Sequence, residues 1–169
     1  MLKYALGATA ALALSVVVIP AASVVPAVSA EPDFATIALT AGKGWSGTGS
    51  WSTRPGQYRQ EFTVGITNTA GHEEQGLDLF VSFPTDRLDV TSYEGRGWDC
   101  WDVNDGPGAE GLRCTQNHLI VDKEAWPALK IHTSVVKWEH YNDSIDVYAE
   151  AGGHAKVHAG QLFKIDTST

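Results

Sequence analysis

The sequence predicts an all-β chain folded as an antiparallel sandwich. Three observations carry this. Short stretches with apolar residues at every second position recur throughout the chain beyond residue 57. Clusters of Gly, Pro, Asn and Asp separate them, and no segment has the apolar period and end caps of an amphipathic helix. Both cysteines lie in one short segment, GRGWDCWDVNDGPGAEGLRCTQ, residues 95–116.

Taken in order, QYRQEFTVGITNTAG (57–71) alternates Tyr58, Gln60, Phe62, Val64 and Ile66 against Thr63, Gly65 and Thr67. LDLFVSF (77–83) repeats the pattern with Leu77, Leu79, Val81 and Phe83. RLDVTSY, GWDCWDV, LRCT, HLIV, LKIHTSVVKW, SIDVYAE and KVHAGQLFKI complete the expected strands. The intervening turns are Ala70-Gly71, Pro84-Thr85-Asp86, Asn104 through Gly108, Asn142-Asp143 and Gly152-Gly153. Many short strands at this spacing point to two packed sheets. GKGWSGTGSWSTRPG (42–56) stands apart as rich in Gly, Ser and Trp, and there is no repeat or second domain.

Residues 1–30 read as a signal peptide. Lys3 is followed by an uncharged Ala/Val/Leu run, and Val28-Ser29-Ala30 sets small residues before Glu31 as a peptidase requires. The alternative is an uncleaved anchor, which Pro20 and Pro26 disfavour. The expected product is a single domain, residues 31–169, exported and released. The chain is acidic, with 12 Lys+Arg against 20 Asp+Glu and a net charge of −8. That balance argues against nucleic acid and anionic membranes, which select basic patches.

In an exported chain, Cys100 and Cys114 read as one disulfide. They face each other across a Gly/Pro/Asp turn, where a cross-strand bridge fits. A thiol nucleophile would need a basic neighbour and would not persist in an oxidising compartment. The acidic turn offers a second reading, as a calcium loop built from Asp99, Asp102, Asp105 and Glu110. As an EF-hand it fails: Gly106 arrives one position early, and Arg113 occupies the place of the bidentate Glu. Asp, Asn and Gly are also what any tight turn selects.

The order of several short motifs then carries a resemblance. Ile66-Thr67-Asn68-Thr69, LDLFVSFPTDRLDV (77–90), GRGWDC (95–100), LRCT (112–115) and the run from Leu119 through Trp126-Pro127 to Val135 follow one another. This arrangement, over about residues 57–150, resembles the "domain of unknown function 11" modules of bacterial, actinobacterial-type, secreted and surface proteins. Such modules are immunoglobulin-like sandwiches that serve as spacers or adhesive stalks. The chain departs from that pattern at Pro84-Thr85-Asp86-Arg87-Leu88 and at Val121 through Ala125, both in loops, and it holds one copy. The resemblance implies an immunoglobulin-like fold with a structural or adhesive role. On this fold Trp98 shares a face with Cys100 and covers the disulfide, and Trp101 points to the other face.

Catalytic signatures are missing. GWSGTG (44–49) misplaces the glycines of a nucleophile elbow, and there is no H-E-x-x-H, P-loop or dinucleotide fingerprint. The carboxylate pair of a glycosidase is defined by separation in space, which sequence does not give. His154 and His158 fall on one face of an extended segment, with Glu150 joining them if pairing runs through Gly152. A metal there lacks further ligands, and the glycines break the strand. The expectation is a protein that is not an enzyme and needs no cofactor.

A binding alternative rests on Trp45 and Trp51. Six residues apart on an extended strand, both rings project to one side, as a sugar-stacking platform would. Phe62 through Thr69, followed by Leu77 through Pro84, is also similar to family-2 carbohydrate-binding modules. Those modules join cysteines near their termini, unlike this chain. Trp45, Trp51 and Trp101 are therefore the candidate ligand-binding residues. Cell-wall polysaccharide or a partner protein is the expected ligand, and burial of the first two rings in the core is the opposing reading.

Overall fold

A computed structural model describes residues 33–55, 58–106, 108–137 and 139–167. The expected leader, residues 1–30, lies outside them. The described residues contain strands, bridges and turns and no helix. The strands, in chain order, are β1 (Ala35–Ala41), β2 (Trp51–Thr53), β3 (Tyr58–Asn68), β4 (Leu77–Ser82), β5 (Leu88–Glu94), β6 (Trp98–Asn104), β7 (Glu110–Gln116), β8 (Leu129–Val135), β9 (Tyr141–Ala151) and β10 (Val157–Ile165). One sheet has the order β1-β3-β8-β5 and the other β2-β10-β9-β4-β7-β6. The chain is an immunoglobulin-like β-sandwich.

Period-2 patterning explains the packing. Phe62, Val64 and Ile66 of β3 meet Leu79, Val81, Val147, Ala149 and Phe163 of the facing sheet in one buried cluster. Every named strand pairing is antiparallel except β2 with β10, which run parallel with Trp51 opposite Phe163. At the opposite edge of that sheet, Cys100 of β6 faces Cys114 of β7 and the two form a disulfide. Cys114 is fully buried, as are most inward side chains of β7. Trp98 is also inward, and its indole N–H donates to the Pro127 carbonyl at 2.6 Å.

Three segments differ from the sequence reading. HLIV is not a strand: Ile120 makes one isolated bridge to Glu74, and Leu119 and Val121 are exposed. β1 was not among the expected strands, although Ile37, Leu39 and Ala41 alternate and it pairs along its length with β3. The Gly/Trp-rich segment also supplies β2, through a chain reversal described below.

Candidate binding face

Trp45 and Trp51 do not form a surface platform. They are 9% and 3% exposed, with ring centroids 5.7 Å apart. Trp45 meets Phe163 edge-on at 5.8 Å and Trp51 meets Phe62 at 6.1 Å. The even spacing misleads because residues 46–52 are not extended. Ser46 and Ser52 exchange backbone hydrogen bonds of 2.9 and 2.7 Å, and the chain turns back between them with Gly47 at φ 96°. Both rings therefore close over the core.

Trp101 behaves differently. It is 45% exposed on the outer face of the six-stranded sheet. The strand registers place it first in a row across five strands. Trp101 of β6 lies opposite Arg113 of β7, Arg113 opposite Phe80 of β4, Phe80 opposite Tyr148 of β9, and Tyr148 opposite His158 of β10. At about 4.8 Å per strand, such a row spans about 19 Å.

The row is held by its own contacts. The Arg113 guanidinium sits 6.0 Å from the Phe80 ring centre. Phe80 and Tyr148 stack at 6.3 Å, and Tyr148 and His158 at 4.6 Å, with interplanar angles of 20° and 24°. Asp146 anchors the His158 Nε2 at 2.8 Å, and the Lys156 ammonium lies 5.9 Å from the Tyr148 ring. Phe80 and Tyr148 in the middle of the row are half-buried. Trp101, Arg113 and His158 are its exposed members.

One step along the strands runs a parallel row of different character. Asp99 lies opposite Thr115, Thr115 opposite Asp78, and Asp78 opposite Glu150. Glu150 is ion-paired with Lys156, and Asp78 and Asp99 are exposed with no ion pair among the described residues. A shallow depression lined by Asp78, Phe80, Trp101, Arg113, Tyr148, Glu150 and Lys156 joins the two rows. The face thus combines an aromatic–arginine ridge with an acidic border.

The calcium reading of the β6–β7 turn finds no support in the geometry. Among the described residues, Asp99, Asp102, Asp105 and Glu110 do not converge as a ligand set. The Glu110 carboxylate instead accepts a 2.5 Å hydrogen bond from the Thr85 hydroxyl. The residues were selected for the turn: Asp105 N–H donates to Ala109 O at 3.1 Å, and Gly106 and Gly108 take φ of 108° and 78°.

A neighbouring cleft of about 510 Å³ brings Asp86, Glu110, Asp143 and Asp146 together with Tyr141. Its carboxylates are engaged by other side chains. Asp86 takes the Lys137 ammonium at 2.7 Å, which holds it below the usual carboxylate range. Asp143 accepts from the Tyr141 hydroxyl at 2.6 Å, and Asp146 accepts from Ser144 and pairs with His158. The hydrogen bond to Asp143, reinforced by burial and the nearby negative charge, pushes the Tyr141 phenol up to about 12.

His154 and His158 do not share a site. His158 pairs with Asp146, whereas His154 Nε2 meets Glu74 Oε1 at 2.7 Å, as does His72 Nε2. Neither His72 nor Glu74 was singled out as a ligand by sequence, since His154 lies 80 residues from Glu74 in the chain.

No family model matches the chain, and no curated protein matches it by sequence. Solved structures do share its fold. A cohesin module from a Clostridium perfringens family 33 glycoside hydrolase superposes with a TM-score of 0.55 at 9% identity, covering 80% of this chain and 98% of that one. AvmM, titled as catalysing macrocyclisation in alchivemycin A biosynthesis, gives 0.51 at 13% identity, over 82% and 92%. The cohesin of a Clostridium thermocellum cohesin–dockerin complex gives 0.46 at 9% identity, over 68% and 89%. One two-sheet architecture therefore serves a cohesin and a protein titled as a catalyst, and what these likenesses establish for the present chain is its fold.

Proposed function

We propose that this protein is a non-catalytic, adhesive recognition module of the cell envelope or exterior. It docks a partner protein on the outer face of its six-stranded sheet. The observation that carries this is the co-registered row Trp101, Arg113, Phe80, Tyr148 and His158. Trp, Tyr and Arg are the residues that dominate binding energy at protein interfaces. The acidic border of Asp78, Asp99 and Glu150 suits a partner carrying Lys or Arg beside an apolar group, and it would steer association. The disulfide is consistent with an oxidising, extracytoplasmic compartment. The sequence resemblance to "domain of unknown function 11" modules supports the same role.

Polysaccharide is the less favoured ligand because sugar stacking needs free ring faces, and Phe80 and Tyr148 are half-buried among their neighbours in the row. The discriminating experiment selects a random-peptide display library on the immobilised protein, alongside retention assays on cellulose, chitin and peptidoglycan. The expected outcome is enrichment of basic–aromatic peptides whose binding falls with salt and is lost in Trp101→Ala and Asp78→Asn. Retention on a polysaccharide that disappears in Trp101→Ala, with no peptide enriched, would replace this reading with a carbohydrate-binding one.

A further inference from the structure

At one end of the sandwich, the β3–β4 loop and the β9–β10 turn bring three ligand-type side chains together. His72 Nε2 and His154 Nε2 each lie 2.7 Å from Glu74 Oε1. All three donor atoms fall within 4.8 Å of one another. Glu74 is 5% exposed, so its carboxylate is anchored in the protein interior, and the His72 side chain, 60% exposed, forms the outer wall.

The supporting structure is rigid. The fully buried Asn68 amide donates to the His72 carbonyl at 2.7 Å and to the Ile120 carbonyl at 3.2 Å, and its Oδ1 accepts from Ala70 N–H at 2.9 Å. Glu74 and Ile120 exchange two backbone hydrogen bonds of 2.9 Å. Across the site, His154 N–H closes a tight turn onto Ala151 O at 2.9 Å. Gly152 and Gly153 occupy it at φ 48° and 88°, which side chains with a Cβ rarely adopt. The His154 ring stacks on Phe34 at 5.2 Å, which fixes its plane.

The hydrogen bonds at His72 leave its Nε2 aimed at Glu74. Its Nδ1 lies 3.1 Å from the Ala70 carbonyl, an acceptor only, so Nδ1 is the protonated nitrogen in this contact. In the neutral ring Nε2 then presents a lone pair to the Glu74 carboxylate oxygen 2.7 Å away. Two acceptors at that distance need a positive charge between or upon them. A second-neighbour carbonyl on Nδ1 with Nε2 left open is also how ligating histidines are oriented in metal sites.

We propose that His72, Glu74 and His154 form a site for a divalent first-row transition metal, of which zinc is the type ion. Two imidazoles and one carboxylate are a zinc ligand set that leaves a fourth position for water or an external donor. Ligands at about 2.0–2.1 Å on a tetrahedron lie about 3.3 Å apart, so filling the site opens each contact by about half an ångström. The ion ties the β3–β4 loop to the β9–β10 turn and displaces the protons held between these groups.

The test titrates the untagged, purified protein with ZnCl2 by calorimetry and follows its melting with and without zinc. One zinc per chain is expected. At about a hundredfold excess over Kd, melting should rise by about 5–10 °C, reversed by EDTA. His72→Ala and His154→Ala should each weaken binding about tenfold or more, at least the effect of losing an outer-shell partner. Unfolding of His72→Ala and His154→Ala without zinc, measured beside the parent, shows whether each variant is folded, which separates ligand loss from misfolding. His140→Ala, at an exposed position outside the cluster, should bind zinc as the parent does. Absence of binding, or affinity unchanged in both His72→Ala and His154→Ala, overturns the proposal and leaves a hydrogen-bonded cluster without a metal.

Discussion

Removing the disulfide is the perturbation whose size the structure fixes most directly. Cys100 and Cys114 are 14 residues apart in sequence and close the β6–β7 hairpin. A loop of about 15 residues restricts the unfolded chain by about 3 kcal/mol in the chain-entropy model. Losing the sulfur of the fully buried Cys114 adds a packing loss of about 1 kcal/mol. Cys100→Ala/Cys114→Ala should therefore lose about 3–4 kcal/mol. For a domain of this size that lowers the melting temperature by about 6–16 °C. The assay is thermal and urea unfolding followed by circular dichroism, with the reduced parent measured beside the variant. Reduction alone should reproduce most of the shift. The urea slope should rise slightly, because an unlinked unfolded chain exposes more surface. A variant melting within about 2 °C of the parent refutes the reasoning, since the turn alone would then restrict the hairpin fully.

Two further outcomes follow from the same structure. Trp51→Ala empties a core position and should cost about 3–5 kcal/mol in urea unfolding, whereas Trp101→Ala should stay within about 0.5 kcal/mol of the parent. Comparable losses at the two sites would show the assignment of core and outer face to be wrong. The native state holds the Tyr141 proton more tightly than the unfolded chain, so the contribution is complete below pH 10 and is lost as pH rises toward about 12. In Tyr141→Phe the decline in stability over that window should flatten, and the phenolate absorbance that develops only near pH 12 should disappear.

What sequence disclosed and what it concealed divide along a physical line. Alternation in residues 60–66 and 77–83 is a local consequence of the pleat, and burial of Phe62, Val64, Leu79 and Val81 follows it. The cysteine pair was readable because its partners flank one turn. Sequence left Trp45 and Trp51 open between core and platform, because what decides it, the reversal between Ser46 and Ser52 and the pairing of β2 with β10 more than a hundred residues on, is not local. β1 begins a few residues after the apolar run that ends near residue 30, where its alternation is inconspicuous. Trp101 drew notice, but its alignment with Arg113, Phe80, Tyr148 and His158 depends on four strand registers at once. The histidine–carboxylate cluster is likewise a product of tertiary structure, as loops far apart in the chain meet at one end of the sandwich.

The position of the disulfide also has a mechanical meaning. β6 is an edge strand, paired on one side with β7 alone. Trp101, an exposed member of the aromatic row, follows Cys100 directly. Pulling on an edge strand through one side chain tends to unzip its hydrogen bonds one after another. Here tension at Trp101 passes through the neighbouring Cα and the sulfur bridge into β7, which is itself bonded to β4. The Cys100 N–H is further held by the Tyr93 hydroxyl, from β5 of the opposite sheet, at 3.3 Å. A load on the outer face is thus shared with the interior of the sheet instead of resting on the hydrogen bonds of the edge strand alone.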